Sequence, residues 1–295
     1  MIISVASGKG GVGKSVLVGN LGLLLSRKGH RVVMADLDIG GANLHILFGA
    51  VSPPLTLSDF LARRVDSLEA VACPVGDSDR LRLIPGTGET LGTANMPHGT
   101  KQRVIRNLRA LEADVLLVDV GAGASYHALD FFLMADLHVV VATPDPTSVM
   151  DLYRFVKLAA IRRILTRAAG RGDLADTLLE RDCRSMADVL ALIGDASAKT
   201  DAAALLGSFR PQLVLNRASV RNRINTMLLR KLLHEYVGGD LALLGEIPED
   251  AAVERAVRGY LPVVDFEPDS PAAHALAAVA DRLDAALRAA SSVTA

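Results

Sequence analysis

The stretch Gly8-Lys9-Gly10-Gly11-Val12-Gly13-Lys14-Ser15 sets four glycines, two lysines and a hydroxyl in the order G-x-x-x-x-G-K-S. Each type has a task at its position. Glycine lets the backbone curl so that successive N–H groups point inward, and Gly8, Gly10, Gly11, Val12 and Gly13 make a candidate phosphate cradle. The start of a following helix adds partial positive charge. Lys14 would reach the β- and γ-phosphates of a nucleotide, and the Ser15 hydroxyl would ligate Mg2+. An apolar run, Ile2-Ile3-Ser4-Val5-Ala6, precedes the loop. Leu17, Leu21, Leu24 and Leu25 follow it at helical spacing, which is the context this motif requires.

Carboxylates at the ends of later strands supply the rest of a candidate site. Asp36-Leu37-Asp38 ends the run that starts at Arg31. Alternation puts Asp36 and Asp38 on one side, at the edge of a sheet where α/β proteins bind ligands. On spacing alone the same pair could simply open a turn. Val115-Leu116-Leu117-Val118-Asp119 is an apolar strand ending in a carboxylate. After a phosphate loop it reads as the Walker B pattern, with Asp119 holding Mg2+ through water. Gly121 and Gly123 then let the backbone approach a γ-phosphate, so this segment could tell ATP from ADP. Asn216 and Arg217 follow another strand, and an Asn amide can both donate to and accept from a purine edge. Pro248, Glu249 and Asp250 lie beyond the next strand. Taken alone, both of these last pieces are turn signals.

With Lys9 included, the loop resembles that of the deviant-Walker-A ATPases of the MinD/ParA class. The resemblance implies a doubly wound α/β fold and an ATPase that uses ATP and Mg2+. It implies that Lys9 crosses an ATP-bridged homodimer to touch the partner's nucleotide, as an arginine finger does. It also implies that Asp36 sits near the Mg2+ hydration shell and that Asp38 orients the attacking water. Gly40-Gly41-Ala42-Asn43-Leu44 would be a switch. Asn216, Arg217 and the Pro248-Glu249-Asp250 loop would hold adenine. Within the class the chain is similar to the flagellar-number ATPases, the FlhG (FleN/YlxH) group. The resemblance there rests on Asp119-Val120-Gly121-Ala122-Gly123, Thr143-Pro144-Asp145-Pro146-Thr147-Ser148, the Ile247–Asp250 segment and Ser270-Pro271-Ala272-Ala273. It covers most of residues 1–160 and 210–285. Implied partners are ATP or ADP, a second copy of the chain and a regulatory protein, with membrane contact only weak or through that protein. The alternative is a ParA-type partitioning ATPase that binds DNA in its ATP dimer. Arg217, Arg221, Arg223, Arg230 and Lys231 are its candidate basic cluster.

Positioning these residues takes strands that alternate with helices. Leu81–Ile84, Val115–Val118, Leu137–Ala142, Leu213–Leu215 and Leu241–Leu244 read as strands. Lys101–Leu111, a helix from near Thr147 and a last helix over Ala272–Ala290 lie between and after them. The pattern predicts a mostly parallel sheet flanked by helices: one P-loop domain over 1–290, a helical insertion at about 162–208 and a disordered tail at 291–295. A Ser185–Asp188 capping box opens one helix of the insertion. The chain has 295 residues, 50% of them hydrophobic and 22% charged, with a net charge of −1. That composition excludes a disordered chain and a strongly basic nucleic-acid protein. Two cysteines, Cys73 and Cys183, give no disulfide framework, and no apolar run reaches the roughly 18 residues of a membrane span. The expected location is the cytoplasm, including the inner face of the membrane or a cell pole.

Overall fold

The computed structural model describes residues 1–38, 41–86, 96–167, 185–219 and 241–294. Among the described residues eight strands form one sheet: β1 (Ile2–Ala6), β2 (Val32–Leu37), β3 (Cys73–Pro74), β4 (Leu81–Ile84), β5 (Val115–Val120), β6 (Leu137–Ala142), β7 (Gln212–Ala218) and β8 (Ala242–Pro248). Their order is β3-β4-β2-β5-β1-β6-β7-β8. Among the described strands only the β3–β4 pair is antiparallel. The described helices are α1 (Lys14–Arg27), α2 (Leu57–Leu61), α3 (His98–Arg109), α4 (Tyr126–Leu133), α5 (Pro146–Arg167), α6 (Met186–Ala191), α7 (Ala196–Gly207), α8 (Ala251–Arg258), α9 (Val263–Phe266) and α10 (Pro271–Thr294). A short 3-10 turn spans Leu44–Phe48.

Residue alternation along the central strands builds a core on each face of the sheet. Val33, Ala35, Leu116, Val118 and Val140 join Val104 and Leu108 of α3, Phe131 and Phe132 of α4 and Leu152 and Phe155 of α5. The intervening residues Val32, Met34, Val115, Leu117 and Val139 join Leu17 and Leu21 of α1 and Leu276, Val279 and Leu283 of α10. Strands covered on both faces are buried throughout, which is why they read as continuous apolar runs rather than alternating ones. Each fully buried side chain of this size contributes roughly 1.5–3 kcal/mol, and the result is a rigid sheet whose C-terminal edge carries the loops of interest.

Several elements differ from the sequence reading. β7 and β8 are each longer than expected, so Asn216 and Arg217 lie within β7, and Ile247 and Pro248 lie within β8 rather than beyond it. The pairing of these strands shifts register between Asn216 and Ala218, where Arg217 takes a left-handed backbone with φ of 56°. A bulge of this kind ends a regular pattern locally and so looks like a turn in sequence. The last helix α10 continues to Thr294, past the point where the tail was expected. Its Ala/Leu face is core, with Leu276, Val279, Leu283 and Leu287 buried. In the 162–208 segment, α5 runs on to Arg167, and α6 starts with the Ser185 capping box. Residues 168–184, including Cys183, lie outside the described residues. So do Gly40 and the four basic residues Arg221, Arg223, Arg230 and Lys231. No helix among the described residues is long and apolar enough to cross a membrane.

Candidate functional site

The phosphate-type loop links the end of β1 to the start of α1. Gly13, at the helix boundary, has φ of 92°, and its carbonyl accepts the first helical bond from Leu17 N–H at 3.0 Å. That left-handed conformation strains any side chain. Gly8 is required for another reason. A Cβ there would lie 2.1 Å from the carbonyl oxygen of Asp151, because the loop's first residue presses on the backbone of α5. The Ser7 hydroxyl donates to the Lys9 carbonyl at 2.6 Å, and Ser7's own carbonyl accepts from Gly123 N–H at 3.1 Å. The loop is thus tied to α5 on one side and to the segment after β5 on the other. Lys14 is buried at its base, and Ser15 is half-buried beside it.

The carboxylates converge on the same edge. Asp36 on β2 and Asp119 on β5 are register partners in adjacent parallel strands, and both are fully buried. Asp36 accepts from Asp38 N–H at 3.1 Å and from Leu44 N–H at 3.0 Å. Neither oxygen of Asp119 has a hydrogen-bond partner of good geometry. Burial raises the Asp119 carboxyl above its ordinary range, repulsion from Asp36 adds to the rise, and the Ser15 hydroxyl and Lys14 ammonium oppose it. Burial likewise raises Asp36, against the two backbone bonds. Two facing carboxylates, one of them unsatisfied, are costly without a cation. Among the described residues no group of three or more His, Cys, Asp or Glu gathers into a cage. Two carboxylates and a serine hydroxyl are an all-oxygen donor set of the kind that fits Mg2+, which is bound through one or two protein oxygens plus water and phosphate. Ser15, Asp36 and Asp119 are the residues that could hold it. Asp38 lies at the mouth of this cleft, where its carboxylate is packed so closely that a Cβ on Gly121 would come within 3.1 Å of it.

A cavity of about 700 Å³ adjoins the loop, lined by Gly13, Asn216, Arg217, Pro248, Glu249 and Asp250 together with Val253 and Val257. The structure therefore brings the separately predicted pieces together. It also gives several of them structural duties. The Asn216 amide donates to the Val12 carbonyl at 2.8 Å, and its oxygen accepts from Arg217 N–H at 3.0 Å. One amide hydrogen and one oxygen lone pair remain for a ligand. Asp250 caps α8 through Ala252 N–H and also accepts from Ala272 N–H at the start of α10.

Lys9 turns away from the cradle. Its ammonium sits 3.0 Å from Asp145 and 2.9 Å from Thr147, at the N-terminus of α5 in the same chain. Sequence reasoning missed Asp145 as a partner. The available signal was its place three residues before Ser148, where it accepts from Ser148 N–H as a helix cap does. Behind the cleft, Asp130 of α4 bridges Lys101 of α3 and Arg162 of α5 in a largely buried ion triad. It anchors the helix that begins just after the Gly121–Gly123 segment.

Residues 3–263 match the profile of the CobQ/CobB/MinD/ParA nucleotide binding domain. The antiactivator FleN of Pseudomonas aeruginosa is 27% identical over 288 residues, covering 96% of this chain and 86% of that protein. The flagellum site-determining protein YlxH of Helicobacter pylori is 34% identical over 158 residues, which cover 53% of this chain and 52% of that protein. The septum site-determining protein MinD of Pyrococcus horikoshii, solved with Mg-ADP, superposes with a TM-score of 0.67 at 24% identity over 96% of this chain and 95% of the other. That likeness is one of fold.

Proposed function

From the membership of this chain in the CobQ/CobB/MinD/ParA nucleotide-binding family, we propose that it is an ATP-hydrolysing switch. ATP joins two copies, and hydrolysis releases them. The observation that carries this reading is the unsatisfied Asp119 carboxylate, facing Asp36 across two parallel strands beside Lys14 and Ser15. Such an arrangement costs stability unless a cation and phosphate complete it.

Backbone N–H groups of Gly10 to Gly13 bind phosphate oxygens, and Lys14 neutralises charge at the β- and γ-positions. Ser15 and, through water, Asp36 and Asp119 would hold Mg2+, which would supply positive charge to offset that developing on the phosphates. Asp38 orients a water for in-line attack on the γ-phosphorus, which yields ADP and inorganic phosphate. Lys9 of the partner subunit supplies a further positive charge across the dimer. Catalysis is then positioning and electrostatic stabilisation, and turnover of the isolated protomer is slow because Lys9 acts only in the dimer. Asn216, Arg217 and the Pro248–Asp250 segment take the adenine end.

The similarity to FleN over nearly the whole chain, and to YlxH and MinD over parts of it, supports a regulator of the placement or number of a cellular structure, flagella first. Such a switch acts in the cytoplasm or against the inner face of the membrane, where a partner protein reads its state. Lys14→Ala tests the enzymatic part: it should abolish ATP–Mg binding in calorimetry, and unchanged binding would refute the assignment. Counting flagella in cells lacking the protein tests the role, since an unaltered number and position would refute it.

A further inference from the structure

A separate cavity of about 380 Å³ opens at the other edge of the sheet. β6 begins there: His138 pairs in register with Ser4, whereas the phosphate loop leaves β1 beyond Ala6, which pairs with Val140. Guanidiniums line the cavity from three elements: Arg109 at the end of α3, Arg163 on α5 and Arg210 just before β7. Arg163 is held in one orientation. It donates to Ser208 Oγ at 3.1 Å, and its guanidinium lies 5.4 Å from the centre of the Phe209 ring. The Ser208 and Thr166 hydroxyls donate to the Leu205 and Arg163 carbonyls, so the arginines are the donors left to face the cavity. Arg109 donates to the Met134 carbonyl at 3.2 Å, which uses one of its several N–H groups. Among the described residues Arg210 has neither an ion pair nor a side-chain hydrogen bond. Asp136, the carboxylate on the cavity wall, accepts from Ile2 N–H at 2.8 Å. Three arginines and one aspartate leave the walls a formal charge of +2. His138 lines the same cavity and is 8% exposed, and its Nε2 is buried without a hydrogen-bond partner among the described residues. Burial, with repulsion from Arg163 second, holds that ring down to about 4 and so neutral. Capping of helix carbonyls accounts for Arg109, but it leaves Arg210 and the orphaned Nε2 unexplained.

We propose that this cavity is a further ligand site, taking a small phosphate-bearing anion of two or more negative charges that Arg109, Arg163 and Arg210 hold together. The ligand's charge answers the +2 of the walls. Guanidiniums that arrive from separate elements suit a tetrahedral phosphate, whose oxygens accept from several directions, better than a planar carboxylate. A neutral His138 in its Nε2–H tautomer gains in a phosphate oxygen the acceptor it lacks. The volume lies near the low end of the roughly 300–1,000 Å³ usual for ligand pockets, which favours a free small molecule over a polymer backbone. The cavity shares no residue with the phosphate loop, so the inference stands apart from the nucleotide reading.

The test titrates the full chain with inorganic pyrophosphate, without Mg2+, and follows the histidine ring signals by NMR. His138→Phe assigns the His138 signal by its disappearance. Lys14→Ala, run in parallel, disables the phosphate loop as a competing site. The His138 signal should shift along the same saturating curve in wild type and in Lys14→Ala. Arg109→Gln and Arg210→Gln each remove one charge-assisted contact and should weaken the midpoint roughly tenfold. If Arg109→Gln unfolds the chain, Arg210→Gln, which breaks no side-chain bond among the described residues, still decides the matter. A His138 signal that stays put while calorimetry detects pyrophosphate would assign all binding to the phosphate loop and overturn the proposal. So would a shift that is lost in Lys14→Ala, that Arg210→Gln leaves untouched, or that sodium chloride at the same ionic strength reproduces. A shift produced by a short oligonucleotide and not by pyrophosphate would overturn the small-molecule reading.

Discussion

Replacing Asp119 by asparagine should stabilise the nucleotide-free protein while removing its response to nucleotide. Neither of the buried Asp119 oxygens has a hydrogen bond of good geometry, and Asp36 is its register partner on the adjacent strand. Raised by burial and by Asp36 against Ser15 and Lys14, the carboxyl must take up a proton on folding or stay charged in the interior, either at a cost of several kcal/mol at neutral pH, whereas a buried amide left partly unsatisfied costs about 1–3. The exchange should therefore raise nucleotide-free stability by about 2 kcal/mol. For a chain of this size that is a rise of about 4 °C in Tm. Wild type, by contrast, should gain about 2.7 kcal/mol from ATP–Mg at a hundredfold excess over Kd, or about 5 °C. The variant should gain almost nothing. Thermal unfolding of both proteins, each with and without ATP–Mg, reads the two effects with opposite signs. A lower Tm for nucleotide-free Asp119→Asn, or a full ATP–Mg shift in the variant, would refute the argument that this carboxylate is kept at the expense of stability for a cation.

Gly8→Ala places a methyl 2.1 Å from the Asp151 carbonyl oxygen, a backbone atom that cannot swing aside, and should cost about 3 kcal/mol or more and weaken nucleotide binding. Gly11→Ala, with φ of 76° and open space, should cost only about 1 kcal/mol, and equal urea midpoints for the two would contradict the clash. Asp130→Ala leaves Lys101 and Arg162 without their shared carboxylate and should lose about 3–5 kcal/mol, whereas a loss under about 1 kcal/mol would show that the triad does not anchor α4. His138, packed edge-on against Phe132 and Phe209, is held down to about 4 by burial, with repulsion from Arg163 adding to it. The unfolded chain takes up its proton near 6.5, so stability should fall as pH drops from about 6.5 to 4, by at most about 3 kcal/mol from this residue. His138→Phe should flatten that part of the pH–stability curve, and an unchanged slope would sink the attribution.

Much of this was legible in the sequence because the informative residues are neighbours. The loop from Gly8 to Ser15, the runs ending in Asp36 and Asp119 and the strand Leu137–Ala142 each state their role within a few positions. Buried parallel strands have no polar face to blur them. What could not be read depends on long-range contact or on short elements. The docking of Lys9 on Asp145 spans 136 residues and leaves no periodic trace. β3 is two residues long, and α9 is four. The bulge at Arg217 looked like the end of a strand because only its pairing with β8 shows that the strand continues. Asp250 and Asn216 read as ligand contacts, yet each also holds the fold together, Asp250 by joining two helix starts and Asn216 by gripping the phosphate loop.

The central claim is that ATP joins two copies and hydrolysis parts them. Asp38→Ala removes the carboxylate assigned to the attacking water and leaves the loop and the Asp36–Asp119 pair in place, so the mass of this variant by light scattering, with ATP–Mg and then with ADP–Mg, tests it most directly. The account predicts a dimer with ATP and a monomer with ADP. A monomer in both would contradict it.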